Sequence, residues 1–260
     1  MSLIAAGSET FESPGIADFW QPLVGDGAFA LTRTMVVFGI SALAISLILA
    51  RVGGRLKVVP GKGQFAVEGV YTFVRNSLGR DIIGTKDFKP FVPLLFSLFI
   101  VILVNNLFGV VPFIQFPTFS RLGYAVALTL VVYVTYHTVG IRRKGFGGWL
   151  KSFVPSGLPP WIIPLMFVLE FATYVIIRPA TLALRLMGNM LAGHLLLLVF
   201  TVGGEFLLLH SSTINKVPGV LSFGMTLVMS AFEILVEFLQ AYVFVLLTAV
   251  YIAGAVADEH

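Results

Sequence analysis

Six ionisable or amide side chains, Glu170, Arg178, Arg185, Asn189, His194 and Glu205, lie inside one long apolar stretch, and Glu233, Glu237 and Gln240 lie inside a second. Carboxylates and an imidazole exchange protons, and amides orient them. A guanidinium keeps its charge at any physiological pH. The set suits proton movement steered by a fixed cation. Arg185 can attract a carboxylate and block leakage, but it cannot relay a proton. An ionisable group inside a bilayer costs from about 2.5 to above 10 kcal/mol, so each is by default a functional site.

The spacing gives the set a geometry. In an antiparallel helical hairpin turning near residue 214, residues at equal depth have numbers summing to about 428. His194 with Glu233 sums to 427 and Arg185 with Gln240 to 425, matches within one and three residues, which predicts two polar layers about two turns apart. At about 100° per residue, Glu233, Glu237 and Gln240 share one stripe, extended by Ser230. On the partner helix Arg178, Arg185 and Asn189 share a face, while His194 points the opposite way with Thr201 and Glu205. Glu205, Thr201, His194 and Glu233 thus step inward from the outer surface, as a proton entrance requires. Each residue also has a structural reading: Arg178 as a snorkelling cation or a partner for a nearby carboxylate, Arg185 as an ion pair with Glu237, and His194 as a helix-bridging hydrogen bond.

These stretches must be held by a membrane domain. Hydrophobic residues fill 57% of the 260 positions and charged residues 12%, against about a quarter charged in a soluble domain. Spans are expected at 31–50, 91–112, 122–141, 162–209 and 219–255. As straight helices the last two would measure about 70 Å and about 55 Å, so they must tilt steeply or bend in a core of about 30 Å. The segment 210–218 is the turn between them. The fold class is therefore an all-α integral membrane protein with five membrane-crossing helices in one domain, the last two forming a long tilted hairpin.

Twelve of the seventeen basic residues fall in loop 51–90 and in the segment around 142–151, which the positive-inside rule places in the cytoplasm. The tail 1–30 is then external and the C-terminus cytoplasmic. Acidic residues precede the first basic one, Arg33, the reverse of a signal peptide's order. Within the first basic loop, Val67, Val70, Tyr71, Val74, Leu78 and Ile82 recur at helical spacing. They predict an amphipathic helix over 62–83, either lying on the membrane or packed against the loop's neighbours. Tyr133, Tyr136 and His137 read as interface anchors. Cysteine is absent, which removes disulfides and thiolate metal sites.

The strings LRLMGNMLAGH at 184–194 and EILVEFLQAYVF at 233–244 resemble subunit a of the F-type ATP synthase. VPGKGQFAVEG at 59–69 and NNLFGVVP at 105–112 resemble its segments in the same order. The resemblance implies that Arg185 is the family's essential arginine, Asn189 its nearby asparagine and Gln240 its last-helix glutamine. His194 and Glu233 take the positions where the family places a Glu and a His in either order. A family glutamate of the exit path, upstream of the arginine, falls at or within one residue of Glu170. Where many members continue Pro-Thr with Ala-Asp, Thr118 is followed here by Phe119 and Ser120.

The implied protein is a non-catalytic stator subunit, one copy per hetero-oligomeric complex, in the cell inner (plasma) membrane. It works against a ring of c subunits beside b-type peripheral stalk subunits, in contact with lipid and translocated H⁺. Protons enter through the His194 and Glu233 layer and leave past Arg185. Glu237, Glu205, Glu170, Thr201 and Ser230 are further channel-lining candidates. No metal, cofactor or nucleic acid is expected, and no GxxxxGK[ST] string offers a nucleotide site. The competing reading is a secondary transporter coupling protons to a solute, but no internal repeat or solute pocket is visible in the sequence.

Overall fold

A helix in lipid must satisfy every backbone group internally, and long apolar runs with few interruptions meet that demand. In the computed structural model, residues 22–25, 31–54, 56–111, 117–154, 159–209 and 216–257 are described. Most of the expected external tail, Arg55 and residues 210–215 of the expected turn lie outside them.

Strands β1 (Pro22–Val24) and β2 (Leu31–Thr32) pair antiparallel ahead of α1 (Arg33–Gly53). Leu31 and Thr32, expected to open the first span, instead close this ribbon, to which Arg121 donates through the Thr32 hydroxyl at 3.4 Å. Helix α1 is peripheral: 6% of its apolar window is buried, against 56% in α8 (Lys216–Val256). Its Ile40, Leu43 and Leu47 are exposed, whereas Ser41 turns inward to donate to Asn105 Oδ1 at 2.9 Å.

The expected helix over 62–83 forms as α2 (Lys62–Phe73), a π-helical stretch Val74–Arg80 and α3 (Asp81–Ile83). Its two halves differ. No residue of α2 is buried, while Val74 and Leu78 are fully covered beside α4 (Val92–Val110) and α8. The apolar stripe of the second half therefore meets protein rather than a membrane surface.

Helix α5 (Leu122–Lys151) runs through the segment expected as a basic loop. Arg and Lys are good helix formers, so Arg142, Arg143 and Lys144 prolong the span until Gly145 breaks it. There φ is 71° and ψ 164°, a region essentially restricted to glycine. Past this break Trp149 folds back onto Gly140, where an added Cβ would lie 2.9 Å from its ring. An ion pair from Arg143 to Asp87 ties this end of α5 to the segment before α4.

Tyr133, Tyr136 and His137, expected as interface anchors, lie in a cluster of packed rings. Their rings pack together with Trp149 and Tyr174, and the fully covered Tyr136 donates its hydroxyl to the Tyr174 carbonyl at 3.0 Å. That carbonyl belongs to the π-helical stretch Thr173–Ile177 joining α6 (Ile163–Ala172) to α7 (Arg178–Leu209). Pro179 lacks an N–H and crowds the carbonyl four residues back; the wide turn ahead of it absorbs the mismatch. The result is one helical path of 47 residues, Ile163–Leu209, facing the 41 residues of α8. Helix α8 starts at Lys216, so Lys216–Pro218, expected in the turn, form its first turn instead.

Helices α7 and α8 approach closely where side chains vanish. A Cβ on Gly204 would come within 3.1 Å of the Phe223 ring, and one on Gly219 within 2.9 Å of Leu208. Small residues drive such contacts in lipid, where water supplies no hydrophobic force between helices. Ser222 reinforces the seam by donating to the Phe200 carbonyl at 2.7 Å.

Candidate functional site

The long hairpin sets the register of its polar groups. Both helices rise about 1.5 Å per residue in opposite directions, so one glycine contact fixes every later pairing. Moving inward from Gly204 and Gly219, α7 next offers Gly193. A Cβ there would stand 2.7 Å from Glu233 Oε1, so the missing side chain is what admits the carboxylate. Glu233 is 5% exposed.

One turn further along α8, Glu237 turns its carboxylate toward α4. Oε1 lies 3.2 Å from the Cβ position of Gly109, beside the Met190 methyl, and the side chain is 3% exposed. Asn106 of α4 donates to the Glu237 backbone carbonyl at 3.3 Å. A further turn inward, the Asn189 amide donates to Gln240 Oε1 at 2.6 Å. Gln240 thus bonds Asn189 rather than lying level with Arg185, one turn from the expected pairing.

These groups surround one cavity of about 240 Å³, walled by Asn106, Asn189, Gly193, Glu233, Glu237 and Gln240 together with apolar side chains such as Leu196 and Phe232. The volume holds several waters. Neither carboxylate accepts a hydrogen bond from a described residue, and the same is true of Asn106 Oδ1. Buried acceptors without donors are costly, so this wall favours protons or water. Asn189, Ala192, Leu196 and Phe232 are exposed, so the cavity opens sideways through the outer surface of the hairpin.

Arg185 sits on that same outer surface, one turn from Asn189, and is exposed. It forms no ion pair with any described residue, so the alternative pairing with Glu237 is not made. Leu184, Leu196 and Val199 share its side of α7 and are exposed. The structure thus separates the charges: both carboxylates are buried, whereas Arg185 is exposed and paired with neither.

His194 is 5% exposed and does not line the cavity. It reaches the depth of Glu233, but the two are not hydrogen-bonded, because Glu233 points at Gly193. Thr201 and Ser230 donate to the carbonyls of Leu197 and Thr226 on their own helices. Glu205 is exposed near the end of α7. Glu170 and Arg178 meet elsewhere, at a cavity of about 160 Å³ shared with Lys144 and Trp149. There Arg178 lies over the rings of Tyr174 at 4.4 Å and Tyr251 at 5.2 Å, an attraction worth about 0.5–2 kcal/mol.

Reasoning from charge missed Asn106, Gly109 and Gly193. The Asn-Asn pair at 105 and 106 was the available signal for the first, being two amides inside an apolar span. The glycines carry none, since their role depends on what a neighbouring helix brings.

The ATP synthase A chain family model matches residues 34–253. The chain is 46% identical over 267 positions to the ATP synthase subunit a of a Nocardioides species, covering 98% of this chain and 96% of that one. It is 41% identical over 263 positions to the subunit a of Pseudarthrobacter chlorophenolicus, with 100% and 99% covered, and 40% identical over 255 positions to that of Streptomyces lividans, with 96% and 89% covered. Since the match runs from the start of α1 into the last turns of α8 and takes in every residue of the cavity wall, this membrane chain belongs to the ATP synthase A chain family.

Proposed function

We propose that this chain is the proton-translocating stator subunit of the membrane sector of an ATP synthase, with Arg185 facing a carboxylate carried by a ring of partner subunits. The carrying observation is the separation of charge across the hairpin. A permanent cation stands exposed near the midpoint of a 47-residue helical path, while the chain's own glutamates on the facing helix are buried and form no ion pair with it. A cation so placed calls for an anion from another polypeptide.

Protons reach the cavity from the side of Glu205, Thr201 and His194, pass Glu233, and leave through the sideways mouth to a ring carboxylate. After a rotation they depart past Arg185 toward the cavity of Glu170 and Arg178. An opposite charge within a few Å favours the ionised carboxylate, so Arg185 promotes release on the side it guards. The potential supplies about 2.3 kcal/mol per charge per 100 mV. The N-terminus lies outside and the C-terminus in the cytoplasm, with b-type stalk subunits holding the chain against the turning ring.

The sequence contains no cysteine, so single cysteines at 185, 189 and 192 report without background. Each is expected to crosslink to a cysteine placed beside the ring carboxylate in the assembled complex. A position 185 that reacts only with lipid-phase reagents refutes the proposal.

A further inference from the structure

Two carboxyl groups, not one, border the cavity between α7 and α8. Glu233 and Glu237 stand four residues apart on one helix face, each at most 5% exposed. Side chains at that spacing are neighbours. Two negative charges so close in a poorly solvated site repel strongly.

The remaining polar atoms match this pair. Facing the cavity are five oxygens that accept nothing from a described residue: both of Glu233, both of Glu237, and Asn106 Oδ1. One side-chain donor in the wall is likewise uncommitted, Gln240 Nε2, since Asn189 already holds Gln240 Oε1. A wall with five acceptors and one donor is short of protons. Protonating one carboxyl converts an acceptor into a donor. The cavity's titratable residues are these two glutamates; α4 and α7 add only amides, apolar side chains and Gly193.

Their positions give an order. Glu233 lies at the depth of His194, on the entrance side, and Glu237 lies about 6 Å further along α8. Beyond it come Gln240 and Asn189, whose exposed edge is shared with Arg185.

We propose that Glu233 and Glu237 form a proton-holding pair and that Glu237, not Glu233, is the last group of this chain to carry the proton before it reaches the partner's acid. At rest the pair shares one proton and carries one negative charge. A second proton arriving from the entrance forms an O–H bond with the ionised carboxylate and neutralises the pair. The O–H of Glu237 then breaks, its proton bonds to the ring carboxylate, which becomes neutral, and the pair returns to a single negative charge. One proton enters and one leaves in each cycle. This inference rests on the proton-translocating reading above and adds the identity of the final carrier.

The test is passive proton conduction through the membrane sector in vesicles, normalised to assembled complex. Glu237→Gln keeps the shape and removes the exchangeable acid; conduction is expected to fall about a hundredfold, as for loss of a positioned proton carrier. Glu233→Gln should fall likewise. Wild-type conduction in Glu237→Gln with loss in Glu233→Gln overturns the pair while leaving the translocation reading intact. Wild-type conduction in both overturns that reading as well.

The Gly109 contact supplies a rescue. With Glu237→Ala opening the space, Gly109→Asp places a carboxylate from α4 into the same part of the cavity. Recovery of conduction above the Glu237→Ala level is expected, whereas an assembled double variant as inactive as Glu237→Ala assigns Glu237 a structural role and overturns the proposal. If Glu237→Gln does not assemble, this comparison decides alone.

Discussion

The side-chain amide of Asn189 donates to Gln240 Oε1 across 2.6 Å, linking the exposed edge of α7 to the buried face of α8. The bond fixes the amide of Gln240 and defines the inner wall of the cavity. It also sets the distance, one turn, between the cavity mouth and Arg185.

If that bond couples the helices, Asn189→Ala and Gln240→Ala are not additive. A double-mutant cycle on the thermal stability of the purified complex is expected to give about 1 kcal/mol of coupling, within the range of interhelical hydrogen bonds in membranes. Additive losses would show that the two amides act independently.

Gly193→Ala is expected to damage transport more than assembly. Its Cβ would stand 2.7 Å from Glu233 Oε1, so the carboxylate must turn away or the helices must part, at about 1–3 kcal/mol. Proton conduction per assembled complex should fall. Gly188→Ala, where a Cβ meets nothing within 4 Å, is the control for helix propensity and should conduct normally.

Gly145→Ala forces a side chain into a conformation costing about 1–3 kcal/mol. Relief comes by straightening α5, which lifts Trp149 from Gly140. In a chain whose other tryptophans are phenylalanine, acrylamide should then quench Trp149 more strongly. Unchanged quenching would mean that the fold-back does not depend on the glycine.

Tyr136→Phe removes the bond from the Tyr136 hydroxyl to the Tyr174 carbonyl and leaves the ring packing in place. A loss of about 1 kcal/mol in thermal stability is expected, with proton conduction retained. A larger effect on conduction than on stability would place the π-helical turn in the transport path.

The register of the long hairpin was legible because two antiparallel helices of equal rise keep the sum of facing residue numbers constant. Gly193 meets Glu233, Gly219 meets Leu208, and Asn189 meets Gln240, all close to the expected value. The same rule placed Gln240 level with Arg185 because an error of one turn is within its tolerance. The stripe Val74, Leu78 and Ile82 left its partner open, since an apolar face is the same sequence whether it meets lipid or protein. Tyr133, Tyr136 and His137 left their partners open for a related reason: aromatic residues at the end of a span suit an interface belt and a packed cluster equally. Arg142–Lys144 announced a topology but not the end of a helix, because charge does not stop a helix and Gly145 does. Asn106 and Gly109 reach the cavity from α4, more than 120 residues from Glu233 in sequence, and no local pattern connects them.

If Arg185 serves an acid carried by another subunit, its removal stops the coupled cycle without disturbing the fold. ATP-driven proton pumping by vesicles carrying Arg185→Ala, corrected for the amount of assembled complex, decides this. Assembly should be normal and pumping at background; pumping at the wild-type rate would show that Arg185 serves no such acid.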